Sequence, residues 1–176
     1  IYLLGASEIK GTYGVKVNNM SLGGSEIRNI ESQNLELMAS PTLFNADLTI
    51  INIVSNSYLT NTIANFLTKL DTLITAATAT GNVLVVLQCK NLSTALTNYN
   101  AAILNHCVAN NIPVIDTYTE MNGDRAFSID GIHPNIAGHK LEGDYILSMI
   151  LPDSMRYSGL TLKANSQVMD FIEKGV

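Results

Sequence analysis

A chain of 176 residues is long enough for one sizeable core and short for two. Its 47% hydrophobic and 14% charged residues exclude a disordered polymer and suggest a well-buried sheet. The net charge of −5 and pI near 5.0 argue against a nucleic-acid surface, and no apolar run reaches the roughly 18 residues of a membrane span.

Ile1-Tyr2-Leu3-Leu4 reads as a buried strand that breaks at Gly5-Ala6-Ser7. The chain opens directly in this strand, without a charged and apolar leader, which suggests a fragment of a longer protein. Ser7 stands at the carboxyl end of a strand, where open α/β sheets carry their sites. At the start of a helical turn, unpaired N–H groups there would stabilise developing negative charge. A serine in this position also serves simply as a cap. The pattern is not the nucleophile elbow G-x-S-x-G, because Ile9 occupies its last glycine. Neither glycine spacing of a phosphate loop or a dinucleotide fingerprint is present, so a nucleotide-binding domain is set aside.

Val15 to Ser21 reads as a second strand, followed by Leu22-Gly23-Gly24-Ser25. Glycines there either start a helix or let a backbone N–H approach a ligand. Leu48 to Val54 reads as a third, strongly apolar strand ending at Ser55-Asn56-Ser57. The Asn56 amide either caps a loop or, with a glycine N–H, donates into an oxyanion hole. Leu59 to Ala77 carries Ile63, Phe66, Leu67, Leu70, Leu73 and Ile74 at helical spacing, with Gly81 placed as a C-cap. Val83 to Leu87 is the near-continuous apolar run of a central parallel strand. A second helix from about Ser93 to Asn110 would put Leu96, Tyr99, Ile103, Leu104 and Val108 on one face. Ile112 to Ile115 is the next strand, ending at Asp116.

Thr117 to Gly131 has no periodicity and reads as an active-site loop; Asp124 and Arg125 within it read as solvated charges. The last helix runs from about Asn135 to Ile150. Strands and helices alternating in this way imply a three-layer α/β/α domain with a parallel sheet of about five strands over residues 1–150. Residues 151–176 read as a tail, in which Val168, Met169, Phe171 and Ile172 form a short docked helix or meet a partner. Cys89 and Cys107 read as buried small hydrophobes, with no spacing that indicates a disulfide or a zinc site. His106 and His139 have no motif neighbours and read as structural or surface residues.

The most telling segment is Asp130-Gly131-Ile132-His133-Pro134-Asn135. A carboxylate that accepts the Nδ1 hydrogen of a histidine fixes its tautomer and stabilises the imidazolium that forms when it acts as a base. One turn can hold both groups, and Pro134 suits the helix start that follows. A plain Asp-Gly turn is the other reading.

Taken in order, Gly5-Ala6-Ser7, Asn19 to Gly24, Asn56 after a strand, and Asp130-x-x-His133-Pro134-Asn135 resemble the SGNH, or GDSL, hydrolase family. Gly138 also matches a glycine common in the family's last block. The resemblance runs over roughly residues 1–150 and implies a flavodoxin-like sheet. It implies Ser7 as nucleophile, His133 as base and Asp130 as its orienting group. The oxyanion hole would be the N–H groups of Ser7 and Gly24 and the Asn56 amide, with no metal or organic cofactor. Two departures stand out: Ala6 replaces the aspartate of Gly-Asp-Ser, and Val54-Ser55-Asn56-Ser57 replaces Gly-x-Asn-Asp. The groups lost are supporting rather than reacting ones.

The resemblance implies an ester hydrolase working through an acyl-enzyme. Short links and a surface rich in Asn, Ser and Thr point to O-acetylated carbohydrate as substrate. Lipase, lysophospholipase or thioesterase action on the same site is the alternative, and a non-catalytic carbohydrate-binding or structural module is a third reading. Similar domains act as deacetylases in cell-envelope proteins and phage tail spikes. The expectation is therefore a module of a larger extracellular, cell-surface or virion protein, with no nucleic-acid partner and no membrane insertion.

Overall fold

The computed structural model describes residues 6–8, 17–19, 26–27, 45–88, 94–120 and 133–150. The chain divides into two compact units, Ile1–Asp124 and Arg125–Val176. The first strand expected, Ile1 to Leu4, and the tail from Leu151 onward lie outside the described residues, as do Cys89, Asp124 and Arg125.

In the first unit, β1 (Ala6–Glu8) pairs antiparallel with β2 (Val17–Asn19), with Ser7 opposite Asn18. A parallel sheet follows in the order β3 (Leu48–Ile51), β4 (Asn82–Val86), β5 (Val114–Ile115). Ile51 lies opposite Val85, and Val86 opposite Ile115. The described residues thus show three of the roughly five parallel strands expected, and β1 and β2 pair with each other instead. Residues 9–16 between them are fewer than the dozen or so that a parallel crossover needs, so an antiparallel return is the geometry open to them.

β4 is buried from Val83 to Val86, as a central strand should be. β3 is not buried throughout: Leu48 is 42% and Ile50 48% exposed, while Ile51 is 5% exposed. The strand also stops at Ile51, short of the predicted Val54. Ile53 leaves the extended region (φ −136°, ψ 18°), and α1 (Val54–Ser57) forms where the strand was expected to continue.

α2 (Ile63–Thr78) starts four residues later than its apolar pattern, because the Thr62 hydroxyl accepts the Asn65 N–H at 3.2 Å and caps it there. Threonine is a poor helix former, yet the outer face of α2 is full of it. Thr68, Thr72 and Thr75 each donate their hydroxyl to the carbonyl four residues back, at 2.8–3.1 Å. On the inner face, Phe66, Leu70, Leu73 and Ile74 are buried against the sheet. Each such side chain contributes about 1.5–3 kcal/mol on burial.

Gly81 is not the C-cap of α2; Ala79 is. A Cβ on Gly81 would lie 2.2 Å from the Ala46 carbonyl oxygen, so the glycine is there for close backbone approach to the start of β3. α3 (Thr94–Ala109) packs Leu96, Tyr99, Ile103 and Cys107 into the same core. Val108, expected on that face, is 65% exposed, because Cys107 takes the inward position. The Phe66 and Tyr99 rings meet edge to face, 5.5 Å apart, and join α2 to α3. α3 ends in a Schellman motif. Asn111 has φ 55°, Ile112 N–H donates to the Cys107 carbonyl at 2.8 Å, and Asn111 N–H to that of Val108 at 3.3 Å.

α4 (Thr117–Glu120) follows β5 at once, where an irregular loop was expected. The Asp116 carboxylate accepts the Thr119 N–H at 2.9 Å and so caps this turn. In the second unit, α5 (Ile136–Ile150) begins within a residue of its predicted start. None of the described helices is long and apolar enough to cross a membrane.

Candidate active site

Because β3, β4 and β5 are parallel, their carboxyl ends open on one edge of the sheet, the side on which such folds carry ligands. Three segments leave that edge: Ile53 into α1, Leu87-Gln88 after β4, and Asp116 into α4. The Leu87 N–H donates to the Ile115 carbonyl at 3.0 Å, and its carbonyl accepts the Thr117 hydroxyl at 2.5 Å. Asn100, reaching in from α3, accepts the Gln88 N–H at 3.3 Å and donates to the Gln88 carbonyl at 3.0 Å. Asn100 and Thr117 are buried, so this end of β4 is a rigid floor whose backbone groups are already engaged.

Asn56 sits half-buried in α1, beside that floor in the order of the sheet. Its turn is tied down on several sides. The Ser57 hydroxyl donates to the Ile53 carbonyl at 2.8 Å and accepts the Ile27 N–H at 2.9 Å. The Thr60 hydroxyl donates to the Glu26 carboxylate, and the Tyr99 hydroxyl donates to the Asn61 carbonyl. Asn61 Nδ2 in turn donates to the Ser57 carbonyl at 3.1 Å. Burial holds the Tyr99 phenol above its ordinary pKa, which keeps it a donor.

Ser7 lies in the middle of β1, not in a turn beyond a strand as its neighbours Gly5 and Ala6 suggest. Gly24 and Asp130 lie outside the described residues. His133 is exposed and leads through Pro134 to Asn135. The Asn135 side chain accepts the Gly138 N–H at 2.9 Å and its carbonyl accepts the His139 N–H at 2.9 Å, so Asn135 is the cap of α5. Pro134 therefore precedes the cap and does not enter the first turn. Gly138 is buried. Ser7 and Asn56 belong to the first unit and His133 to the second.

The other reactive groups have structural explanations. His106 Nε2 lies 2.6 Å from the Asp71 carboxylate and bridges α3 to α2. His139 is exposed on α5. Cys107 is a fully buried free thiol, pushed up to about 11 by burial and by the Asp71 carboxylate, so it is no thiolate nucleophile near neutrality. Among the described residues no group of three or more His, Cys, Asp and Glu could hold a metal ion.

Sequence reasoning missed Ser57, Asn100 and Thr117. Asn100 had a signal: it lies on the apolar face between Leu96 and Ile103, where a polar side chain must find a buried partner. Ser57 and Thr117 had none, for their partners are 30 residues away in the chain.

No protein-family model matches the chain, and no curated protein matches it in sequence. Solved structures do match. A catalytic mutant of Axe2, an acetylxylan esterase from Geobacillus stearothermophilus, is 14% identical, with TM-score 0.61 over 77% of this chain and 72% of that one. A lipase/acylhydrolase from Enterococcus faecalis is 22% identical, with TM-score 0.57 over 72% and 71%. A member of the lipolytic protein G-D-S-L family from Veillonella parvula is 17% identical, with TM-score 0.58 over 72% and 75%. The fold is that of the SGNH, or GDSL, esterases.

Proposed function

We propose that this chain is a serine esterase that removes O-acetyl groups from carbohydrate. The observation that carries the reading is the braced Asn56 turn at the carboxyl edge of a parallel sheet whose fold is shared with esterases. A half-buried amide on a rigid turn is what an oxyanion donor requires, since its contribution depends on being in place before charge develops.

In this reading Ser7 Oγ attacks the acetyl carbonyl while His133 takes its proton, and Asp130 holds the imidazole. The tetrahedral oxyanion is met by the Ser7 N–H, the Gly24 N–H and Asn56 Nδ2. The tetrahedral intermediate collapses, the sugar hydroxyl leaves with the proton from His133, and an acetyl-enzyme remains. Water, deprotonated by His133, then attacks the acetyl-enzyme, and acetate departs as Ser7 regains its proton. The acetylxylan esterase likeness supports a sugar substrate. The threonine-rich face of α2 does not, because its hydroxyls already serve the helix's own carbonyls. The proposal extends to a module of a larger extracellular, cell-surface or virion protein.

A longer acyl chain is the second reading. Leu59, one turn beyond Asn56, is 71% exposed and would give such a chain an apolar contact. The test is acetate release from a panel of acetylated polysaccharides, alongside turnover of acetyl and octanoyl esters. The proposal expects acetate release that Ser7→Ala abolishes. Faster octanoyl turnover favours the lipase reading. Folded protein that a serine-reactive fluorophosphonate leaves unlabelled at Ser7 favours a non-catalytic module.

A further inference from the structure

We infer that Ser57 is a positioning residue for acyl transfer, acting through its neighbour Asn56; the inference rests on the oxyanion role proposed for that amide. Ser57 follows Asn56 directly and is fully buried. Its one hydroxyl does two jobs. It donates to the Ile53 carbonyl at 2.8 Å, which closes the turn on itself, and it accepts the Ile27 N–H at 2.9 Å, which fastens the turn to a segment 30 residues earlier. Ile27 is also fully buried, so water cannot reach in to replace the lost acceptor.

The position of the Asn56 amide therefore depends on a bond that α1 cannot make within itself. Four residues form a single turn, and the N-terminus of α1 has no side-chain cap. An oxyanion donor has to lie about 2.7–3.1 Å from the developing charge, a tolerance of a few tenths of an ångström. The link from Thr60 to Glu26 runs parallel to the Ser57 bond but lies on the exposed side, where it steadies the turn less.

The test is a double-mutant cycle on turnover of a small acetate ester, with Ser57→Ala, Asn56→Ala and the pair together. Ser57→Ala is expected to lower kcat by about 10- to 100-fold, the scale of a small misplacement at a reacting centre, with KM changed less than about twofold. Added to Asn56→Ala, it should lower kcat by less than about twofold further, because the group it positions is already gone. Unchanged kcat in folded Ser57→Ala overturns the inference, as does an equal loss with and without Asn56, which marks general loosening. Should the alanine variant not fold, the same cycle with Ser57→Cys, which keeps the volume and weakens both bonds, reads the same outcomes. Full activity of folded Asn56→Ala is a separate result: it removes Asn56 from the site and this inference with it.

Discussion

The Asn56 turn and the His133 lead-in are put in place by opposite means. α1 is four residues long and holds its shape through partners far away in the chain: Ile27, Glu26 and Tyr99. α5 is fifteen residues long, and its start is fixed by Asn135, its own neighbour. The reason is cooperativity: one helical turn sets few hydrogen bonds against its nucleation cost, whereas four turns set many more against the same cost. The Asn56 turn therefore depends on the packed core around it, whereas the start of α5 is set by a residue next to it in the chain.

The largest way to break this contrast is chemical. Asn56→Ala should lower kcat by about 10²–10³-fold with the fold intact, checked by steady-state kinetics beside thermal unfolding. Next comes the floor of the site. Asn100→Ala leaves the Gln88 N–H and carbonyl without their side-chain partner and should cost about 1–3 kcal/mol in denaturant unfolding. Asn135→Ala removes only a local cap, so a loss of about 1 kcal/mol is expected, with amide exchange speeding up in the first turn of α5 alone. A global change in exchange would show that α5 is not held locally. Asp71→Asn breaks a partly exposed bridge between α2 and α3 and should cost about 0.2–1 kcal/mol, measured as a small drop in Tm at low salt.

The last effect emerges only in alkali. The Cys107 thiol is raised from its ordinary 9.0 to about 11 in the fold, so the folded state keeps its proton where the unfolded state has lost it. Stability is then complete below about pH 9 and falls as pH rises toward about 11. A Cys107→Ala variant should lose that slope; an unchanged slope would assign it to other groups.

Elements with a period were legible in the sequence. The inward face of α2 is the one its spacing predicts, and α5 begins within a residue of its expected start. What stayed hidden has no period. α1 is too short to show one and was read as the end of a strand. Cys107 is buried as expected, but Val108, placed on the same face, turns outward, because spacing alone does not fix a helix's rotation to one residue. Of the site, Asn56 was readable as a motif but not as part of a helix, and the bonds that hold it were not readable at all. Those to Ile27 and Glu26 join residues 30 or more apart, and such pairs become neighbours only once the chain has folded.

The bond at Ser57 is made by a group that cannot ionise. The family resembled here usually carries an aspartate at this position, and a carboxylate would give up its charge around pH 4. A serine hydroxyl has nothing to gain or lose there. Acidifying the medium therefore leaves the tie from Ser57 to Ile53 and Ile27 as it is.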